Sequence, residues 1–139
     1  MPAGKWKVYE SAKQYIGDGT IDLDANTFAM ALFTSASNAN TLAGLSTLSA
    51  LTNQVANANG YTTGGVALGS ITWTNAAGTM TFTSANAQWA ASGGSITARY
   101  AVVYRTGTVN SVTNAILCVC LLDTAPADVT VTSGKIGPS

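Results

Sequence analysis

Residues 96–105, ITARYAVVYR, form the most strand-like stretch of the sequence. Its ten positions are rich in β-branched and aromatic residues and contain no glycine or proline, which is typical of a β-strand. Residues 115–122, AILCVCLL, are apolar at every position. A strand of that composition has both faces buried, so it belongs inside a sheet rather than at an edge. These two stretches predict a protein built around a β-sheet.

Further strand patterns lie on both sides of these two, with turn residues between them. Residues 27–35, TFAMALFTS, alternate large and small apolar side chains, which predicts a strand covered on both faces. Residues 66–74 and 79–83 alternate apolar and polar positions around a turn at residues 75–78, which predicts a hairpin; Gly69 and Ser70 break the first alternation as a bulge does. Two shorter strands are predicted at residues 88–91 and 128–132.

Two helical segments complete the prediction. Residues 5–16 place Val8, Ala12, Tyr15 and Ile16 on one helical face and end at Gly17, a natural C-cap. Leucines at every third position favour a short helical segment within residues 42–55. The sequence therefore predicts a mainly β fold, an antiparallel β-sandwich or partly closed barrel of about seven strands. Residues 1–139 form one domain with an N-terminal helical segment at about residues 5–16.

The charge content excludes several classes of protein. Charged residues make up only 9% of the 139 residues, the net charge is zero, and residues 25–98 contain no Lys, Arg, Asp or Glu. A neutral chain without a basic cluster lacks the attraction that drives nucleic-acid binding, and a chain this apolar does not fit the composition of disordered proteins. No apolar run reaches the roughly 20 residues of a membrane span. The start lacks a signal-peptide pattern, so we expect synthesis in a cytoplasm.

The titratable residues predict no enzyme, no cofactor and no small-molecule substrate. The chain has no histidine, which removes the usual catalytic triads and the imidazole metal ligands. Asp18, Asp22 and Asp24 do not match a calcium loop, and we interpret them as turn and capping carboxylates. Cys118 and Cys120 lie two apart on one strand, a geometry too wide for a disulfide, so they are expected to be buried thiols and not metal ligands.

Six residues are candidates for an interface with another protein. Arg99 and Arg105 fall on one face of the strand at residues 96–105; an ion pair with Asp22, Asp24, Asp123 or Asp128 is the structural interpretation, and docking to a subunit the functional one. The tryptophans are either core aromatics or glycan-stacking residues. The candidates are Trp6, Lys7, Trp73, Trp89, Arg99 and Arg105.

Three runs resemble a family of small structural proteins of tailed-bacteriophage virions. They are residues 8–35, VYESAKQYIGDGTIDLDANTFAMALFTS, residues 59–68, NGYTTGGVAL, and residues 95–105, SITARYAVVYR. In that family a short helix leads into an IDLD strand, a GYT turn follows, and a TARYAV strand comes late; the order agrees over about residues 8–128. The relatives continue past residues 125–134 into a further apolar strand, whereas this chain continues only as KIGPS. The resemblance thus leaves a sheet edge for a neighbouring subunit to cover.

The resemblance implies a function. It points to a non-enzymatic virion protein, a capsid decoration or cement protein that stabilises the head shell, with the major capsid protein and copies of itself, arranged as a trimer, as partners. It would be made in the host cytoplasm and located on the capsid surface, without nucleic-acid or membrane partners. The alternative is a tail or fibre component that recognises a host glycan through Trp73 and Trp89.

Overall fold

The computed structural model describes residues 3–125 and 127–138 and confirms a mainly β fold with antiparallel sheets. One α-helix and one short 3-10 turn accompany the strands, and the described residues form no closed barrel. No helix among them is long and apolar enough to cross a membrane. In chain order the elements are β1 (Lys7–Val8), α1 (Glu10–Asp18), β2 (Phe28–Phe33), the 3-10 turn (Leu48–Ala50), β3 (Val66–Ala67), β4 (Thr72–Ala76), β5 (Thr79–Thr83), β6 (Trp89–Ala91), β7 (Ile96–Ala98), β8 (Tyr100–Arg105), β9 (Thr108–Val109), β10 (Val112–Thr113), β11 (Ile116–Leu121), β12 (Val129–Val131) and β13 (Gly134–Ile136).

A five-stranded antiparallel sheet, in the order β1-β11-β8-β2-β3, forms the centre of the molecule. β2 lies along β8 from the Phe28–Arg105 pair to the Phe33–Tyr100 pair, and every residue of β2 is buried. β11 lies on the other side of β8 and is also buried except at its last residue. The predicted strands at residues 27–35 and 115–122 are thus confirmed, because apolar residues on both faces require cover on both faces.

The remaining strands form four two-stranded pairs. β4 and β5 make the predicted hairpin, with Trp73 opposite Phe82. The predicted first strand at residues 66–74 is divided, because Val66–Ala67 pair with β2 in the central sheet. β7 pairs with β12, β6 pairs with β13, and β9 with β10 forms a hairpin that the sequence patterns did not predict. β13 also corrects the expectation of an edge without a final strand, since Ile136 pairs with Trp89 and is buried.

The stretch at residues 96–105 is two strands and not one. β7 and β8 belong to different sheets, and Arg99 lies at the break. The Arg99 backbone N–H donates to the carbonyl of Phe33, and its carbonyl accepts from the N–H of Leu122. Local composition predicted the extended backbone correctly, but the change of partner at Arg99 depends on residues distant in sequence.

The N-terminal helix begins later than predicted. Lys7 and Val8 pair with Val119 and Cys118 as an edge strand, so α1 starts only at Glu10. It continues past Gly17 and ends at Gly19, whose φ of 84° supplies the left-handed cap. The N-terminal residues before Tyr9 are extended because the open edge of β11 offers them backbone hydrogen bonds, including one from the Gly4 N–H to the Leu121 carbonyl.

The predicted short helical segment within residues 42–55 is the 3-10 turn at Leu48–Ala50, and the rest of that stretch is not helical. Apart from the hydrogen bonds of that turn, its backbone groups bond to other parts of the chain. The Val55 N–H donates to the Leu32 carbonyl, the Leu48 N–H donates to Asn114, and the Leu42 carbonyl accepts from Glu10. The leucine spacing therefore reflects packing of a loop on the core rather than a helical face.

The GYTTGG run is a turn, as the resemblance implied, and it packs against β2. Gly65 has a φ of 79°, and a Cβ there would lie 1.7 Å from the Met30 carbonyl oxygen. The hydroxyl of Tyr61 in the same turn accepts a hydrogen bond from the Leu32 N–H at 3.0 Å. Glycine is required at position 65 because no side chain fits between the two backbones.

Candidate functional site

An apolar groove with a volume of about 610 Å³ opens on one face of the central sheet. Its floor follows from the strand register. Val8 lies opposite Cys118, Cys118 opposite Val103, and Val103 opposite Met30, so these four side chains form one row across four strands. All four line the groove. The floor is thus a continuous apolar surface built by register alone.

The β4–β5 hairpin, residues 72–83, forms the roof of the groove, and we name it the arm. Trp73 and Phe82 share its inner face and line the groove. The threonines of both strands alternate to the outer face, and Thr83 at the end of β5 also borders the groove. The Phe82 ring packs edge-on against Phe28 of β2, with centroids 5.2 Å apart and planes at 70°. Eight of the ten strand residues of the arm are exposed, and the two exceptions are Trp73 and Phe82. These two partly buried aromatic side chains pack the inner face of the arm on the groove.

The rim of the groove carries large apolar side chains that remain in contact with solvent. Trp6 is 41% exposed and Ile16, in the last turn of α1, is 38% exposed. Val8 is 40% exposed because it lies where the floor row reaches the rim at the sheet edge. No charged side chain lines the groove among the described residues, and its polar lining consists of Thr83, Ser84 and Asn86. This chemistry suits a neutral, apolar occupant, since binding it would require no charge to lose its hydration.

Of the candidate interface residues, the fold brings Trp6 and Trp73 together at the groove. Lys7 is exposed but lies on the opposite face of β1 from Val8, and so points away from the groove floor. Trp89 lies apart from both in the core; it is 5% exposed and packs against Tyr61 at a centroid distance of 5.6 Å. So little exposed surface cannot stack on a glycan ring.

Arg99 forms the ion pair that the sequence suggested. Its Nε donates to Asp128 Oδ1 at 2.9 Å, and both side chains are partly exposed. The pair connects the end of β7 to the residue before β12, two strands that already lie side by side. Because the pair is near solvent, its contribution to stability is small.

Arg105 is completely buried, so it is not an exposed docking residue in this fold. None of the four suggested aspartates pairs with it. Its guanidinium instead donates to three backbone carbonyls of the following loop: Gly107 and Val112 at 2.8 Å and Thr106 at 3.4 Å. Burial lowers the pKa of Arg105, but an arginine remains charged at any physiological pH. Arg105 thus holds the loop that contains β9 and β10 to the end of β8.

The acidic residues at the end of α1 and after it have the expected turn role. Asp18 accepts a hydrogen bond from the Thr20 N–H at 2.9 Å, and contact with Thr20 lowers the pKa of the Asp18 carboxyl. Asp22 accepts from the N–H groups of Asp24 and Ala25. Within the described part of the chain, no three His, Cys, Asp or Glu side chains cluster as metal ligands would.

Both cysteines are free and buried, as predicted. Burial raises the pKa of the Cys118 thiol, and it raises the pKa of the Cys120 thiol from 9.0 to about 12. A thiol is nucleophilic only as the thiolate, so neither sulfur is reactive near neutral pH. Cys118 serves the groove as an apolar floor residue.

The sequence patterns did not reveal the groove itself. One signal was available: Trp73, Phe82 and Met80 alternate with threonines, so they had to share one face of the hairpin. That this face covers Met30 and Val103 depends on how the hairpin folds back over the sheet, which local patterns do not show.

Comparison with known proteins identifies no relative of this chain. No protein-family model, curated protein or solved structure matches this chain.

Proposed function

We propose that this chain is a non-enzymatic structural protein of a bacteriophage virion, a decoration or cement protein that binds the head shell and stabilises it. Its partners would be the major capsid protein and copies of itself, and its place would be the capsid surface. The resemblance of residues 8–35, 59–68 and 95–105 to virion proteins motivates the proposal.

The structural observation that supports it best is the arm. An isolated two-stranded hairpin is marginally stable in water, and of the ten strand residues of the arm only Trp73 and Phe82 are partly buried. Proteins usually protect exposed strands with charges, yet residues 25–98 contain none. In a free monomer, an exposed and uncharged hairpin favours unwanted association through its strand edges. On a shell, the same hairpin can instead bind the neighbouring molecules that cover it.

A second observation concerns chemistry. The two thiols are the strongest nucleophiles of the chain, and both are buried with a raised pKa. The groove is lined by apolar side chains rather than by groups that transfer protons. The proposal therefore assigns the groove a role in association and not in catalysis.

The proposal is tested by comparing phage heads that lack this protein with heads to which the purified protein has been added back. Heads are heated or treated with a chelator, and DNA release is measured by a dye. We expect release at lower temperature from the depleted heads and recovery after addition. Identical release curves, together with no cosedimentation of the protein with heads, would contradict the proposal.

A further inference from the structure

Large exposed apolar side chains are concentrated around the groove and at the end of the arm. Among the described residues, five large apolar side chains are 38% or more exposed: Trp6, Val8, Ile16, Val66 and Met80. The first three line the groove. Val66 pairs with Met30 at the far edge of the sheet, beyond the groove lining. Met80 is the most exposed of the five, at 46%.

Met80 extends the apolar inner face of the arm beyond the groove of its own chain. It lies opposite Asn75, two pairs closer to the turn than Trp73 and Phe82, and therefore on the same face of the arm. Phe82 is half-buried on the groove, whereas Met80 does not line that groove. The arm thus ends in an apolar side chain that its own body does not cover.

We propose that Met80 of one molecule inserts into the open groove of a second copy of this chain, against Trp6, Val8 and Ile16. The contact is head to tail, because the arm of one copy meets the groove of the next, and repetition can close it into a ring. The inference deepens the proposed function, since it names how copies of the protein bind each other on a shell.

Charge and shape support a second copy as the occupant. The groove lining and the arm both lack charged residues, so the contact desolvates no charge and meets no like-charge repulsion. The groove already accepts the inner face of the arm, which carries Trp73 and Phe82, and Met80 lies on that same face. Methionine is flexible and fills irregular apolar space well.

The expected affinity in free solution is low. A stable interface buries about 800 Å² on each partner, much more than one methionine and its neighbours supply. The shell would compensate by holding many copies side by side, where each weak contact adds to the others. The contact should therefore be measured at high protein concentration.

The experiment is sedimentation velocity of the full chain over a concentration series up to roughly 1 mM. We expect the unaltered chain to associate reversibly, and Met80→Glu to weaken association at least about tenfold, since a buried charge costs more than 1.4 kcal/mol. Thr81→Glu is the matched control: it adds the same charge to the next residue, on the outer face of the arm. Thr81→Glu should associate as the unaltered chain does. Far-UV circular dichroism checks that each variant folds.

A mixing experiment tests the head-to-tail geometry. Trp6→Glu places a charge in the groove and leaves Met80 unchanged. Met80→Glu places a charge on the arm and leaves the groove unchanged. Each variant alone should remain monomeric, but their mixture should form a one-to-one dimer through the single intact contact. A chain that stays monomeric throughout the series would overturn the inference. So would association that Met80→Glu leaves unchanged, or a mixture that stays monomeric.

Failure of this inference can be told apart from failure of the proposed function. If Met80→Glu binds and stabilises heads as well as the unaltered chain does, only the inference is wrong. If the chain associates through Met80 but neither binds nor stabilises heads, only the proposed function is wrong.

Discussion

The central sheet and the arm are both antiparallel and nearly uncharged, but the inner strands of the sheet are buried and those of the arm are exposed. Every residue of β2 is buried, while eight of the ten strand residues of the arm are exposed. β2 is apolar on both faces and lies between β8 and β3. The arm keeps one apolar face and fills the other with threonine, which favours strands and remains solvated. The comparison shows that a low charge content does not by itself mean a buried strand.

The largest expected effect compares the same substitution in the two regions. Phe33→Ala removes a completely buried ring from β2 and should lower the free energy of unfolding by about 3–5 kcal/mol. Phe82→Ala removes a half-buried ring from the arm, with its contact to Phe28, and should cost about 1–2 kcal/mol. Urea denaturation followed by circular dichroism measures both. Equal losses would show that the arm is as firmly packed as the sheet.

The second prediction concerns the buried cation at the end of β8. Arg105→Met leaves the carbonyls of Gly107 and Val112 without their donors, and we expect a loss of about 2–4 kcal/mol. Arg105→Lys keeps the charge but cannot reach separate carbonyls with a rigid fork, so an intermediate loss is expected. The same denaturation experiment measures both variants. An unchanged free energy of unfolding for Arg105→Met would show that the loop at residues 106–114 keeps its conformation without these hydrogen bonds.

The third prediction is a decrease in stability at alkaline pH. Buried thiols have a raised pKa in the folded chain, so they stay protonated while the thiols of the unfolded chain ionise above about pH 9. Their contribution is complete below that pH and is lost as the pH rises through this range. The slope is about 1.4 kcal/mol per pH unit for each group. Denaturation curves from about pH 7 to pH 10.5 measure it.

Cys120→Ala is the control for this pH effect. The variant should be less stable at every pH because it loses a buried side chain, but its decrease above about pH 9 should be shallower than that of the unaltered chain. A parallel decrease in the two proteins would assign the effect to other groups, such as Tyr9, whose pKa burial also raises.

The smallest expected effect is at the partly exposed ion pair. Arg99→Ala removes the contact with Asp128 and should change the free energy of unfolding by at most about 1 kcal/mol. The change should shrink further in high salt, because solvent ions screen exposed charges. A loss as large as that of Arg105→Met would show that the β7–β12 pair depends on this bridge.

Sequence patterns predicted the parts of the fold that are fixed locally. Residues 115–122 needed cover on both faces, and residues 79–83 alternated strictly, so both strands formed as expected. The break at Arg99 could not be predicted, because it depends on hydrogen bonds to Phe33 and Leu122. β1 could not be predicted either, since two residues form a strand only when the edge of β11 is beside them.

The candidate site was predictable only in part. Trp6 and Trp73 were named from residue type, and both line the groove. Arg105 and Trp89 were named on the same basis and lie in the interior, because residue type does not reveal burial. Met80 was not named, although its place on the inner face of the hairpin follows from alternation with Thr79 and Thr81. The approach of the arm to the sheet is a tertiary feature, and it decides which residues meet.

The central proposal, a decoration protein of the head shell, is tested most directly by the number of copies in each virion. Gel densitometry of purified particles, calibrated with the recombinant chain, gives that number relative to the major capsid protein. A protein that covers the shell predicts on the order of hundreds of copies. A count of only about three, six or twelve copies would indicate a symmetric component near the tail and would contradict the account.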